Sequence, residues 1–145
     1  MRVFSEGGRS AKIGKVARYG EVGAEVSGQP KGTVMAVEFE LDGNEFLGLN
    51  GGPHFKFTPA VSFIVNCKKQ EEIDYFWQKL GEGGKEGQCG WIDRDKFGVS
   101  WQIVHAVLGE LMSDPDKSKS ERVMKAMLAM KKLDIETLKR ASKQG

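Results

Sequence analysis

The sequence predicts an α+β fold made of paired strand-helix-strand-strand-strand (βαβββ) modules, followed by C-terminal helices. Two hairpin-like stretches, "AVEFELDGNEFLGLN" and "QCGWIDRDKFGVSWQIV", resemble each other in pattern. Their turns lie about 55 residues apart, a spacing that favours two copies of one supersecondary unit over a solenoid. A helical stripe precedes the second hairpin, and the last third of the chain has a helical pattern throughout.

The first module is predicted over residues 12 to 52. "AKIGKVARYG" alternates weakly and indicates a strand, and "EVGAEVSGQPKG" has the glycine, serine and proline content of a surface loop. Strands are predicted at 34 to 41 and 44 to 50, because "DGN" between two apolar runs is typical of a tight hairpin turn. By symmetry with the second module, we expect a first strand and a helix that the residues before 12 do not supply.

The second module is predicted over residues 60 to 105. "AVSFIVNC" is a short apolar run between turn signals, which indicates a buried strand. Ile73, Phe76, Trp77 and Leu80 then form one stripe of an amphipathic helix that ends near Gly81. Strands follow near 88 to 93 and at 99 to 104, on either side of a turn at "RDKFG". The alternation in "AVSFIVN" turns Val61, Phe63 and Val65 toward the helices.

A helical segment is predicted over residues 106 to 145, within a single domain of 1 to 145. "SKSE" at 118 to 121 matches a capping box, and Asp134 is predicted to cap the last helix. We expect this segment to cover a sheet. The first of these helices carries Val123, Met124, Met127 and Leu128. The side chains predicted to face the core are Met124, Met127, Met130, Ile135 and Leu138.

The composition indicates a soluble globular protein. With 22 basic and 20 acidic residues, the net charge is +2, too small to predict a nucleic-acid partner. No apolar run reaches the roughly 20 residues that cross a bilayer, and the N-terminus lacks the apolar stretch of a secretory signal. We therefore expect a cytoplasmic protein without membrane contact. Cys67 and Cys89 have no CxxC spacing, which favours reduced thiols.

Four stretches of the chain resemble the PhnB-like proteins, also called 3-demethylubiquinone-9 3-methyltransferase-like, of the vicinal oxygen chelate (glyoxalase/bleomycin-resistance) superfamily. They are "KIGKVARYGE", "VEFELDGNEFLGLNGGPHFKFTPAVSFIVNC", "GQCGWIDRDKFGVSWQIV" and "LMSDPDKSKSERVMKAMLAMKKLDIETLKRA". The resemblance implies paired βαβββ modules that curl into an open barrel, and a homodimer. Members begin with a further strand and helix, so the resemblance implies either that the start of this sequence is placed too far downstream or that the first module is truncated. A tightly paired or strand-swapped partner chain would then cover the exposed sheet edge.

Candidate ligand-binding residues come from the inner face of the predicted barrel, where metal-dependent members of this superfamily carry His and carboxylate ligands. Alternation along the strands places Phe46, Asn50, Ser62 and Gln102 inward, and Leu47 and Leu49 outward under helices. Cys89 is a further candidate, and Trp91 is one because its ring could stack on a flat ligand. The candidates are Phe46, Asn50, Ser62, Cys89, Trp91 and Gln102. Because none is a His or a carboxylate, we expect no catalytic divalent metal and no cofactor.

Other residues with reactive chemistry give weaker indications. His54 and His105 lack a neighbouring carboxylate, so surface or locally hydrogen-bonded roles are favoured over proton transfer. Cys89 has no adjacent His or Lys that would activate it as a nucleophile. "GEGGKEG" follows a helix and leads into a strand, the reverse of a nucleotide-binding turn, and therefore indicates a flexible loop and no site for S-adenosylmethionine.

Three classes of function remain open, and the sequence does not decide whether the protein is an enzyme. The first is a metal-free or catalytically degenerate protein that binds an unidentified small molecule. The alternative is a metal-dependent lyase, isomerase or dioxygenase, with ligands such as His54, Glu38, Glu40 and Glu45, or a methyltransferase as the family name suggests. The third is an interaction protein that uses its charged C-terminal helices, although a solvated cover helix explains the same charges more simply.

Overall fold

The structure is a computed structural model that describes residue 4 and residues 7 to 143 of the chain. Its architecture is α+β, as the sequence predicts, with two sheets and a series of helices after the last strand. The chain divides into two compact units, Met1–Lys56 and Phe57–Gly145. Each unit holds one of the sheets.

Between residues 7 and 56, the first unit contains three strands and one short helix. They are β1 (Ala11–Arg18), α1 (Glu21–Ser27), β2 (Val34–Leu41) and β3 (Asn44–Leu49). The strands form an antiparallel sheet in the order β1-β2-β3. All three strands were predicted, so the alternation of residue types was sufficient to find them.

The β2–β3 hairpin confirms the turn predicted from "DGN". Leu41 pairs with Asn44, and the two residues between them, Asp42 and Gly43, have φ angles of 51° and 81°. Two consecutive residues with positive φ are the signature of a type I′ turn, whose twist matches that of the flanking strands. Aspartate tolerates this conformation better than most residues, and glycine adopts it without steric penalty.

Two predictions for the first unit are wrong. The segment read as a loop contains helix α1, which ends at Gly28, a residue with a φ of 71° that stops the helix in a left-handed conformation. Leu47 and Leu49 do not pack under helices, since they are 67% and 69% exposed. Helix α1 has no buried residue, so it does not provide a cover.

The second unit begins with a mixed four-stranded sheet and one long helix. The elements are β4 (Phe63–Cys67), α2 (Gln70–Gly81), β5 (Lys85–Glu86), β6 (Trp91–Arg94) and β7 (Trp101–His105). The sheet order is β4-β7-β6-β5, in which β4 and β7 are parallel and the other pairs antiparallel. The order of a strand, a helix and further strands is the predicted one. The stretch "EGGKEG", predicted to be a loop, contains the short strand β5.

The core of the second unit lies between helix α2 and one face of the sheet. Every residue of the predicted helical stripe is buried, and α2 contacts β4, β6 and β7. From the sheet, Val65, Cys67, Ile92, Trp101 and Ile103 are buried on the same side. Val61, predicted to share this face, lies before the start of β4 and is exposed.

The C-terminal segment forms α3 (Leu108–Met112), α4 (Lys117–Leu128) and α5 (Ile135–Lys143). Asp134 caps α5 as predicted, by accepting a hydrogen bond of 2.7 Å from the Thr137 N–H. The capping box at 118 to 121 is wrong, because the N-cap of α4 lies two residues earlier than Ser118. Its cap is Asp116, whose carboxylate accepts from the Ser118 N–H.

The apolar face of α4 is narrower than predicted. Val123 is completely buried, but Met124 is 38% exposed and Leu128 is 60% exposed, so these two do not face the core. Ile135 and Leu138 of α5 are buried as predicted. None of the helices in residues 7 to 143 combines the length and apolar character needed to cross a membrane.

The connection between α4 and α5 is anchored to the rest of the second unit. Gln70 at the start of α2 donates to the Leu133 carbonyl at 3.1 Å and accepts from the Ile135 N–H at 3.0 Å. Lys132 forms an ion pair of 2.5 Å with Asp74. This hydrogen-bonded contact with Lys132 holds the pKa of Asp74 below its usual value.

Candidate functional site

The sheet of the second unit has one covered face and one open face. Val65, Trp101 and Ile103 lie on the covered face, where Ile103 has no exposed surface. The intervening residues point the other way, and Ile64 is 57% exposed while Gln102 is half-buried. Since successive side chains of a strand alternate between faces, the open face is the one that the sequence predicted to line a cavity.

Three side chains form a row across this open face. Gln102 on β7 pairs with Ile64 on β4 and with Trp91 on β6. Directly paired residues of adjacent strands point to the same face, so the amide lies between an aliphatic and an aromatic neighbour. Gln102 Nε2 also donates a hydrogen bond of 2.9 Å to Ser62 Oγ. The structure thus brings together three of the predicted candidates, Ser62, Trp91 and Gln102.

The pairing of β6 with β7 is held by Asp95, a buried carboxylate that the sequence analysis missed. Its Oδ1 accepts hydrogen bonds from the N–H groups of Phe97 and Val99, at 2.8 and 2.9 Å. Its Oδ2 accepts from the indole N–H of Trp101 at 2.9 Å. An aspartate three residues before a glycine, as in "DKFG", is a signal for such a side-chain-capped turn.

Cys89 lies in the tight turn that leads into β6. Its φ is 57° and that of Gly90 is 84°. The Cys89 N–H donates to the Met130 carbonyl at 2.8 Å, and the Gly90 N–H donates to the Lys131 carbonyl at 2.7 Å. The turn is therefore tied to the C-terminal segment through its backbone. Within the described residues, the half-buried Cys89 thiol forms no hydrogen bond, and both cysteines of the chain are free thiols.

Phe46 and Asn50, the remaining candidates, belong to the first unit and have local roles there. Phe46 stacks on Phe39 with a distance of 5.2 Å between ring centroids. Asn50 Nδ2 donates to the Val34 carbonyl at 3.2 Å, and the Asn50 carbonyl accepts from the Tyr19 hydroxyl at 2.5 Å. These contacts stabilise the end of the β2–β3 hairpin.

The charges close to the row across the open face compensate each other. Asp93 follows Trp91 by two residues on β6 and therefore lies on the same face. Its carboxylate forms an ion pair of 2.9 Å with the ammonium of Lys85 on β5. The Asp93 carboxylate is therefore not an unpaired charge on this face.

The two histidines are not arranged for proton transfer. His54 is exposed in the segment between β3 and β4. His105 Nδ1 accepts from the Val107 N–H at 3.0 Å, so Nε2 carries the proton and donates to the Lys68 carbonyl at 3.1 Å. Both ring nitrogens of His105 thus fix local backbone.

No group of three or more His, Cys, Asp or Glu side chains in the described part of the chain is arranged to hold a metal ion. The glutamates named as alternative ligands line a concave region of about 580 Å³ on the first unit. Its lining includes Lys12, Glu38, Glu40, Glu45 and Phe46. Because Lys12 pairs with Glu40 across the β1–β2 ladder, part of this negative charge is already compensated.

A second concave region, of about 440 Å³, lies beside α2 in the second unit. It is lined by Trp77, Glu82 and Glu86, among others, and the Trp77 indole N–H donates to Glu86 at 2.9 Å. Gln102 lines neither of these two regions. The candidates on the open face therefore rest on their chemistry.

Comparisons with known proteins give one family. The family model described as 3-demethylubiquinone-9 3-methyltransferase matches residues 3–104. A solved structure from Bacillus cereus, described as "Putative 3-demethylubiquinone-9 3-methyltransferase, PhnB protein", is 34% identical to this chain, with a TM-score of 0.61. The match covers 73% of this chain and 88% of that one. None of the curated proteins compared matches this chain. From the extent of the family match and this likeness, the chain belongs to the 3-demethylubiquinone-9 3-methyltransferase family of PhnB-like proteins.

Proposed function

We propose that this chain is a metal-free, small-molecule-binding member of its family, either non-catalytic or catalytically degenerate, and that the open face of the second sheet is its binding surface. The observation that carries the proposal is the Ser62–Gln102 hydrogen bond beside Trp91. It presents an oriented amide and an aromatic surface on a face that is not covered by helices. Few, well-placed polar groups within an apolar surround are typical of small-molecule sites.

Ser62, Trp91 and Gln102 are the proposed ligand contacts. Within the described residues, the Trp91 indole nitrogen and Gln102 Oε1 have no hydrogen-bond partner, so both are available to a ligand. Phe46, Asn50 and Cys89 stay predictions, because their contacts described above serve local structure.

The three tryptophans of the chain allow a direct test, since each indole N–H gives its own nuclear magnetic resonance signal. Trp91 reports on the open face, whereas Trp77 and Trp101 donate to Glu86 and Asp95 elsewhere. We would screen a fragment library and expect saturable shifts of the Trp91 signal, with much smaller changes at the other two. A library that leaves Trp91 unchanged would count against the proposal.

The same experiment separates the binding proposal from the enzymatic alternatives. Manganese(II) and S-adenosylmethionine are added in turn to the protein. Strong, saturable broadening by manganese would favour a metal-dependent enzyme, and a saturable response to S-adenosylmethionine would favour the methyl transfer that the family description names. We expect neither, since the site residues that we propose include no strong metal ligand.

We also propose that the protein is a homodimer in the cytoplasm. Leu47 and Leu49 share one face of the first sheet and are 67% and 69% exposed. Ile13 and Val16 are exposed on the opposite face. Exposed apolar surface of this kind is typical of an interface, and a partner chain would remove it from water. The free thiols Cys67 and Cys89 are typical of a reducing compartment. Light scattering and cell fractionation test the two statements.

A further inference from the structure

We infer that the open face selects a neutral, planar ligand that carries an adjacent N–H and C=O, as in a lactam. The inference rests on the proposed function, because it names the ligand class of that same face. Two features define this ligand class. The lactam pairs with the Gln102 amide, and the ligand lies against the Trp91 indole.

The hydrogen bond to Ser62 leaves the Gln102 amide with one donor and one acceptor. A primary amide has two N–H donors and an oxygen acceptor. One N–H is used by Ser62 Oγ at 2.9 Å, so the second N–H and Oε1 remain. A lactam presents the complementary pair, with its C=O accepting from Gln102 and its N–H donating to Oε1. Two parallel hydrogen bonds orient a ligand more strictly than one.

The dimensions of the row favour a flat ligand of about two fused rings. Gln102 lies between Ile64 and Trp91 on three neighbouring strands. Strands are spaced by about 4.8 Å, so the row spans roughly 10 Å, similar to the length of a bicyclic aromatic molecule. Ile64 offers an aliphatic surface at one end, and the Trp91 indole offers an aromatic surface at the other.

The electrostatics of the face favour a neutral ligand over an anion or a cation. Gln102 and Ser62 carry no charge, and the nearby Asp93 carboxylate is paired with Lys85 at 2.9 Å. A charged ligand would lose hydration on the apolar surface without gaining an unpaired counter-charge there. A neutral lactam avoids this loss and still satisfies the amide.

The test uses three bicyclic probes of nearly equal size, with the full chain as the protein. They are isoquinolin-1(2H)-one, a neutral lactam; its 2-methyl derivative, which lacks the N–H; and 1-naphthoate, which is charged. We expect the lactam to shift the Trp91 indole signal saturably. The 2-methyl derivative should bind about tenfold more weakly, as expected for the loss of one hydrogen bond that leaves Oε1 unpaired. Equal or tighter binding of either comparison probe overturns the inference.

Variants show whether the amide is responsible for the preference. Gln102→Glu keeps the shape but replaces the N–H donors with a carboxylate, and we expect at least a tenfold loss of lactam affinity. Gln102→Leu should act in the same direction, and Gln78→Leu, an exposed position on α2, is the matched control with unchanged affinity. Lactam binding that persists in both Gln102 variants overturns the inference.

Failure of the inference and failure of the proposed function give different results. If the three probes leave Trp91 unchanged while other fragments of the library shift it saturably, the lactam preference is wrong and the binding surface remains. If neither the probes nor the library affects Trp91, both statements are wrong.

Discussion

Gln102 Nε2 donates a hydrogen bond of 2.9 Å to Ser62 Oγ, which joins two residues 40 positions apart in the sequence. The bond forms because β4 and β7 are parallel neighbours although a helix and two strands separate them in the chain. The chain crosses through α2 to β5 at the other edge of the sheet and returns through β6 to β7 beside β4. No local pattern in the sequence encodes which strands become adjacent.

The two serines near this face should respond differently to replacement by alanine. Ser62→Ala removes a bond between partly exposed side chains, and we expect a loss of about 0.5 kcal/mol in the free energy of unfolding. Ser100 is buried and donates to the Asp93 carbonyl at 2.6 Å, so Ser100→Ala should cost about 1 to 2 kcal/mol. Urea unfolding measures both, and equal losses would contradict the difference in burial between the two serines.

Ile103 and Ile64 provide a matched pair on neighbouring strands. Ile103→Ala removes a fully buried side chain beneath α2, and we expect a loss of about 2 to 5 kcal/mol. Ile64→Ala, on the open face, should change the free energy of unfolding by less than about 1 kcal/mol. Chemical denaturation of both variants tests whether these side chains lie on opposite faces of the sheet. The assignment of faces is wrong if Ile64→Ala is the more destabilising variant.

Replacement of Asp95 should destabilise the second unit strongly. Asp95→Ala leaves three N–H donors without their acceptor: the buried Trp101 indole and the partly buried backbone groups of Phe97 and Val99. A buried unpaired donor costs about 1 to 3 kcal/mol, and a partly buried donor costs less because water reaches it. We expect a total loss of about 3 kcal/mol, measured by thermal and urea unfolding. Glu25→Ala, at an exposed position of α1, is the control and should be neutral. A neutral Asp95→Ala would show that water replaces the carboxylate without penalty.

The cap at Asp134 predicts a dependence of stability on pH. Hydrogen bonds from the Thr137 side chain and backbone hold the pKa of Asp134 below its ordinary value of 3.8. The stabilisation is therefore complete above the ordinary pKa and is lost as pH falls through the lower, folded-state pKa. At neutral pH, Asp134→Ala should reduce the free energy of unfolding by about 1 kcal/mol. This difference from the parent protein should shrink when unfolding is repeated in stronger acid.

Asp134→Asn separates the hydrogen bond from the charge at the same position. Asparagine is also a good helix cap, so we expect a smaller loss at neutral pH than for alanine. Its stability relative to the alanine variant should not change with pH, because the amide does not titrate. If the difference in the free energy of unfolding between Asp134→Asn and Asp134→Ala also shrinks in acid, the pH dependence does not come from the Asp134 carboxylate.

The proposed homodimer predicts that charges on β3 change the oligomeric state. Leu47→Lys combined with Leu49→Lys places two charges on side chains that are 67% and 69% exposed. We expect a dimer for the parent protein and a monomer for this variant in light scattering, because buried unpaired charges are costly. Val26→Lys, at an 86% exposed position on α1, should leave the dimer intact. A monomeric parent protein would show that the proposal is wrong.

Elements with strong local signals were predictable from the sequence. The stripe from Ile73 to Leu80 identified α2, and "DGN" identified a type I′ turn, because both signals depend on periodicity or on φ preferences within a few residues. Helix α1 was missed because its short length and flanking glycines resemble a loop. The cap of α4 was misplaced because Asp116 and Ser118 are both acceptable N-cap residues, and only the hydrogen bonds distinguish them.

For the candidate site, the sequence by itself determined the family and the face on which each strand residue lies. Alternation separated Gln102 from Trp101 without knowledge of the fold, since adjacent side chains of any strand point in opposite directions. Only the tertiary structure decided which strands are neighbours, and therefore that Gln102 meets Ser62 and Trp91. It also decided the buried environment of Asp95 and the exposure of Leu47 and Met124. Burial depends on which distant segments cover a side chain, and a one-dimensional pattern does not carry that information.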